Sequence, residues 1–276
     1  MISIQDAVNQ IKEMIENAII EGGVTKKNNL IRSQTPICLL HDAVKTSFIK
    51  AGVNPSYIHP AYGEHKGELK LAGFFKCKDQ DICIVPNDKK ENKETLNFEG
   101  ILKGQLDPYG RDFTERILSV NVRSQLSSIN KNFDTLYERT FAEAVNLHLR
   151  CPKMVLGEIY MIPVFPYNDN LAKSKEVGFK ANKNISKHIE KYISSFNAIN
   201  ARNTVSGKDY KYEKVCLLIV DFSKDEPKIY NTDAELKRDK LLPQNSTSSI
   251  KNLNFNRFVK DLLKIYEQRF GVGKFI

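Results

Sequence analysis

The sequence predicts an α/β fold with a central mixed β-sheet flanked by helices, and three observations carry that expectation. Amphipathic helical stretches and short apolar runs alternate along the chain, an order that covers a sheet with helices on both faces. Two runs, Ile117-Leu-Ser-Val-Asn-Val122 and Val215–Asp221, are apolar enough to be buried on both sides, as inner strands are. No internal repeat or break in composition divides the 276 residues, so one domain spanning 1–276 is expected. Its parts are an N-terminal helical portion at 1–52, a core at 67–165, and helices with a further strand at 183–276.

The elements follow from periodicity. Ile4, Val8, Ile11, Ile15 and Ile19 share one helical face, and Gly22–Gly23 is expected to end that helix. Thr25–Gln34 reads as a polar linker to a helix from Pro36 to Ala51, closed by Gly52. Glu68–Lys76 and Asp81–Val85 read as strands separated by a polar turn at Cys77–Gln80, followed by a charged loop at Asp88–Thr95. Arg116–Arg123 reads as a strand. Phe133–Leu149 reads as a helix, with Thr135 and Glu138 at the spacing of a capping box. Met154–Phe165 is a strand, Ile185–Ile199 a basic amphipathic helix and Val215–Asp221 a strand. Phe255–Phe270 is the closing helix, with Gly271 just beyond it.

Composition narrows the function. Hydrophobic residues make up 41% and charged residues 27%, the balance of a globular chain rather than a disordered or fibrous one. No apolar run approaches the roughly 18 residues that a membrane helix needs. The start of the chain lacks the basic and apolar stretches of a secretory signal, and five scattered cysteines argue against a disulfide framework. A reducing cytoplasm is the expected location. The net charge of +9 attracts polyanions, of which nucleic acid is the commonest. His59, His65, Cys77 and Cys83 lack the close pairing of a structural zinc site. Cys38 and His41 have the spacing of a nucleophile and base only as far as any helix pair does. No glycine-rich phosphate loop supports nucleotide hydrolysis. Lys173, Lys175, Lys180, Lys183, Lys187 and Lys191 fit either a solvated face or a row of phosphate contacts.

The chemistry concentrates where a carboxylate stands at a strand start. Asp81 opens an apolar strand, and a second strand ends Asn121-Val122-Arg123-Ser124-Gln125. Side chains alternate along a strand, so Asn121 and Arg123 point the same way. If the two strands are neighbours, Asp81, Asn121 and Arg123 converge. Such a point suits a hydrated Mg²⁺ and a phosphate, because hard cations take oxygen ligands.

These residues resemble the PD-(D/E)XK nucleases, in which an Asp on one strand is followed by Glu-x-Lys on the next. Several type II restriction endonucleases of that group continue with Ser-Gln, Asn-Phe and a glutamate-bearing helix. This chain has Arg123-Ser124-Gln125, Asn132-Phe133, Glu138 and Ala144-Val145-Asn146-Leu147. The resemblance spans roughly residues 67–164. It implies a restriction-endonuclease-like fold and Mg²⁺-dependent hydrolysis of double-stranded DNA, with Mn²⁺ as a substitute, by a homodimer without membrane association. Carried over by position, Asp81, Asn121, Arg123, Gln125 and Glu138 are the expected catalytic set. Asp81, Asn121, the Val122 carbonyl and Glu138 are the expected metal set.

The departure from the family is Asn-x-Arg in place of Glu-x-Lys. Asn121 brings no charge, and Arg123 stays protonated, so it can steady a phosphorane but serves poorly as a base. Glu138 would supply the missing carboxylate. Each residue also has a plainer role: Asp81 as a strand-start aspartate, Arg123 as a phosphate contact, Asn121 as a backbone partner and Glu138 as a cap. Glu143 reads as a solvated helix residue, and Glu158 as a mid-strand carboxylate paired with a neighbouring cation. The competing expectation is a nuclease fold that has lost cleavage and binds DNA within a defence complex. A module for RNA or protein, its motif match accidental, is a third.

Overall fold

The structure is a computed structural model, described over residues 1–88, 90–127, 132–181 and 183–276. In chain order its elements begin with helices α1 (Ile4–Arg32) and α2 (Thr35–Lys50). Strands β1 (Ile58–His59), β2 (Leu69–Ala72), β3 (Cys77–Gln80), β4 (Ile82–Ile84), β5 (Glu94–Thr95) and β6 (Leu106–Asp107) follow. Then come α3 (Arg111–Glu115), β7 (Leu118–Ser124), α4 (Phe133–His148), β8 (Val155–Pro163), α5 (Asp169–Lys173) and α6 (Ile185–Ala198). The last are β9 (Lys214–Asp221), β10 (Lys228–Tyr230), α7 (Asp233–Arg238) and α8 (Phe258–Phe270), the last entered through a 3₁₀ turn at Phe255–Arg257.

Six strands form the central sheet in the order β1-β4-β7-β8-β9-β10. β1, β4 and β7 run antiparallel, β7, β8 and β9 parallel, and β10 antiparallel to β9, so the sheet is mixed. Its two faces separate two cores by simple alternation. Val120 and Val122 of β7, Ile159 and Met161 of β8, and Leu218 and Val220 of β9 face α1, α2 and α8. Leu156, Tyr160 and Ile162 of β8, with Leu217 and Ile219 of β9, face α4 and α6. Arg123 of β7 shares that second face, contacting Thr140 of α4 at 3.0 Å. Among the described residues no helix is long and apolar enough to cross a membrane.

Three expectations are corrected. Gly22–Gly23 does not end the first helix. Gly23 sits at φ 62°, ψ −152° inside α1, a kink after which the helix resumes to Arg32, so the expected linker shrinks to Ser33–Gln34. The polar second segment is held because Lys27, only 2% exposed, pairs with Asp169 of α5. The turn expected at Cys77–Gln80 is the strand β3, paired with β2 from Leu69↔Gln80 to Ala72↔Cys77, and the real turn lies at residues 73–76. The capping box is also absent: α4 starts after Asn132, which makes no side-chain cap, and Thr135 and Glu138 are exposed. The charged loop is interrupted by β5, paired with β6; Lys89 within it lies outside the described residues.

Candidate active site

The site forms where the chain leaves β3 for β4. β4 pairs with β7 from Ile84↔Leu118 to Ile82↔Val120. Beyond that point the strands part, and the Asp81 carboxylate replaces a ladder carbonyl: the Val122 N–H donates to Asp81 Oδ2 at 2.7 Å. Burial outweighs that hydrogen bond and the charges of Lys78 and Arg123, lifting the Asp81 pKa to about 6.

Asn121 and Arg123 do share a face, as strand alternation requires. Asn121, 1% exposed, donates through Nδ2 to Gln80 Oε1 at 3.2 Å, and Ser119 Oγ donates to the same oxygen at 2.9 Å. Arg123 is the hub. Its Nη1 donates to Thr140 Oγ1 at 3.0 Å, its Nη2 to Glu143, and its Nε stands 3.4 Å from Glu158 Oε1. Burial opposes the Arg123 charge, yet Glu158, Tyr212, Glu143 and Asp81 around it raise its pKa above the ordinary arginine value. Glu143, only 4% exposed, also pairs with Lys78 of β3 and accepts from Gln80 Nε2 at 3.4 Å.

Glu158 lies beside Asn121 across the parallel β7–β8 pair and is fully buried. Neither of its carboxylate oxygens accepts a hydrogen bond, and neither does Asn121 Oδ1. Desolvation therefore dominates, and the Glu158 pKa rises to about 8 despite Arg123.

The expected residues divide. Asp81, Asn121 and Arg123 gather at one end of β7. Gln125 is near them in sequence but is buried under α6, where the Tyr160 and Tyr192 hydroxyls donate to its Oε1 at 2.9 and 2.6 Å. Glu138 is exposed and stands two residues before Thr140, roughly 200° around α4 from the face that meets Arg123. Glu143 occupies the position that Glu138 was expected to hold. Glu143, expected to be solvated, is buried, and it, Lys78 and Glu158 are the residues that sequence reasoning left out of the site. The available signal was the set Thr140, Glu143 and Leu147, one helical face that also carries core residues.

The metal set expected from the sequence therefore does not assemble around Glu138. Among the described residues no three or more His, Cys, Asp or Glu side chains gather to hold a metal ion. Mg²⁺ asks for less, since one or two carboxylates plus substrate phosphates and water ordinarily hold it. Asp81, Glu158 and the Asn121 carbonyl are all oxygen donors, and the last two lack any hydrogen-bond donor of their own. These are oxygen atoms of the kind that a hard cation takes.

Comparison with protein-family models, with curated proteins and with solved structures yields no match.

Proposed function

We propose that the chain is a metal-dependent endonuclease of the restriction type, hydrolysing phosphodiester bonds of double-stranded DNA. One observation carries the reading: two carboxyls with raised pKa, at about 6 and about 8, lie in one cluster with two cations at a strand end. Strongly shifted groups with named charge partners are candidates for functional sites. The path of the chain supports the same reading, because β4, β7, α4 and a β8 parallel to β7 follow the strand–strand–helix–strand order of the resemblance.

The residues divide the work. Asp81, Asn121 and Glu158 hold Mg²⁺, for which Mn²⁺ substitutes; the ion, once bound, would neutralise phosphate charge and lower the pKa of a bound water. Arg123 remains a cation throughout and stabilises the charge that builds on the attacked phosphate. Lys78 supplies the ammonium group that the Asn-x-Arg sequence lacks, from β3 of the separate hairpin instead of from β7. Glu143 bridges Lys78 and Arg123 and so fixes both cations toward one point. A cut through both strands of a symmetric site calls for two copies related by a two-fold axis, a cytoplasmic homodimer.

A second reading rests on Asn121. Its neutral carboxamide is spent on Gln80, which leaves one fewer charge for the ion and fits a fold that binds DNA without cutting it. Incubating the purified protein with mixed genomic DNAs in Mg²⁺, Mn²⁺ or EDTA separates the two. Discrete metal-dependent fragments support cleavage. Salt-sensitive binding without fragments selects the second reading, and neither result removes both.

A further inference from the structure

The turn between β2 and β3 presents an aromatic ring to solvent on an unusually well-fixed backbone. Phe75, at the tip, is 53% exposed. Its neighbour Phe74 is half-buried, stacks on Phe98 with centroids 5.2 Å apart, and meets Phe75 edge-on at 5.1 Å. Exposed loop tips ordinarily gain entropy by staying loose. This one is clamped by Asn146, a buried residue of α4. The Phe75 and Lys76 N–H groups donate to Asn146 Oδ1 at 2.7 and 3.1 Å, and Asn146 Nδ2 donates to the Lys76 carbonyl at 3.0 Å. The Phe74 N–H donates to the Asn146 main-chain carbonyl at 2.7 Å. The clamp is so close that a Cβ at Gly73 would lie 2.2 Å from Asn146 Nδ2. Four hydrogen bonds thus hold rigid a turn whose most prominent side chain makes little contact with its own core.

The charge around the ring identifies what it meets. From residue 66 to residue 80 the hairpin carries Lys66, Lys70, Lys76 and Lys78 against Glu68 and Asp79, so it is net positive by two. Lys76 is exposed beside Phe75, and Lys78, two residues further along the same hairpin, reaches Glu143 in the candidate site. A flat apolar ring flanked by ammonium groups matches a nucleic acid, whose bases offer π-faces and whose backbone offers phosphates. It suits an apolar protein partner poorly, since the lysines around it would lose their hydration.

We propose that the β2–β3 hairpin is a DNA wedge: Phe75 stacks on a nucleobase, partly unstacking the duplex, while Lys76 and Lys70 contact the adjacent phosphates. Apolar wedges of this kind enter between base steps and bend the helix. The proposal rests on the DNA-handling reading above, and it adds the residue that grips the duplex next to the cluster. Rigidity is central to the device, because a ring on a loose loop would lose on ordering much of what stacking gains.

The test uses the full-length protein in EDTA, so that cleavage plays no part. The probes are 30-base-pair mixed-sequence duplexes with 2-aminopurine at successive adenine positions. Wild type is expected to bind in a salt-sensitive way and to raise 2-aminopurine fluorescence at a restricted set of positions. Phe75→Ala should bind about ten-fold more weakly and lose the fluorescence rise, in keeping with the stacking of one base. Phe75→Tyr should retain both. Phe75 is exposed, so neither change threatens the fold. If Phe75→Ala binds and reports like wild type, the wedge is overturned while DNA binding stands. If wild type shows no salt-sensitive binding, the wedge falls together with the reading beneath it.

Discussion

Two buried ionic networks lie on this protein's sheet, and they treat their carboxylates in opposite ways. Glu213, at the edge of β9, is 1% exposed and surrounded by partners. It accepts from the Leu156 N–H at 2.7 Å, and it lies 2.8 Å from Arg269, 3.3 Å from Arg202 and 3.4 Å from His148. Burial alone would raise its pKa, but His148, Arg269 and the Leu156 N–H bring it below the usual glutamate value. Glu158, on β8, is as deeply buried but accepts no hydrogen bond, and its pKa climbs to about 8. The same side chain has its pKa pushed down in one place and up in the other. Depth does not separate them; the number of donors aimed at the oxygens does. A carboxylate ringed by donors, as Glu213 is, holds the fold together, whereas one without them leaves capacity for something not belonging to the chain.

The contrast is broken or sharpened by substitution. Glu213→Ala should have the largest effect on stability, about 3–5 kcal/mol in urea unfolding, because it takes a shared carboxylate from the buried Arg202 and the half-buried Arg269. DNA binding per folded molecule should be unchanged, and a mild loss of stability would deny that network its structural role. Asp81→Ala should act the other way, lowering cleavage by about a hundred-fold or more while leaving circular dichroism and salt-dependent DNA binding near wild type. Undiminished cleavage would remove Asp81 from the site.

The third substitution tests the proton on Glu158 through stability in EDTA. Its folded pKa of about 8 lies above the ordinary glutamate value of 4.5, so the folded state holds the proton more tightly. The stability linked to that proton is fully present below about pH 4.5 and is lost as pH rises through about 8. Glu158→Gln lacks the titration. Its stability relative to wild type should improve by on the order of 2–4 kcal/mol between pH 5 and pH 8.5. A pH-independent difference would mean that Glu158 is ionised throughout, as Glu213 is. The smallest effect belongs to Glu138→Gln, within about 0.5 kcal/mol and without change in cleavage, since an exposed helix position with no special role tolerates such changes. Glu143→Gln should instead slow cleavage at least ten-fold, and the reverse ranking would restore Glu138 to the site.

Much of this architecture was legible in the sequence. Inner strands announce themselves by continuous apolar runs, the shared face of Asn121 and Arg123 followed from strand alternation, and Asp81 stood out as a carboxylate at a strand start. The short strands β1, β5, β6 and β10 carry two or three residues each, too few to show a period. β3 was hidden by its polar sequence Cys-Lys-Asp-Gln, which sits on a two-stranded hairpin away from the main sheet. Glu138 and Glu143 lie in one helix, and only the helix phase relative to Arg123 decides between them. The sequence places the start of α4 at Phe133, as the structure does, but that phase is set by how the helix packs on the sheet, and Glu138 came from the resemblance. Lys78 was invisible for a related reason: its reach to Glu143 crosses 65 positions of chain.

The kink at Gly23 has a consequence for how this chain tolerates change. A Cβ there would come within 2.8 Å of the Ala172 carbonyl, so the break is locked by a neighbouring backbone. In an unbroken helix each added residue turns everything beyond it by about 100°. Here the left-handed glycine re-aims the helix, so the stretch after it presents a face of its own: Lys27 to Asp169, and Val24, Leu30 and Ile31 to the core that Ile11, Ile15 and Ile19 enter from the first half.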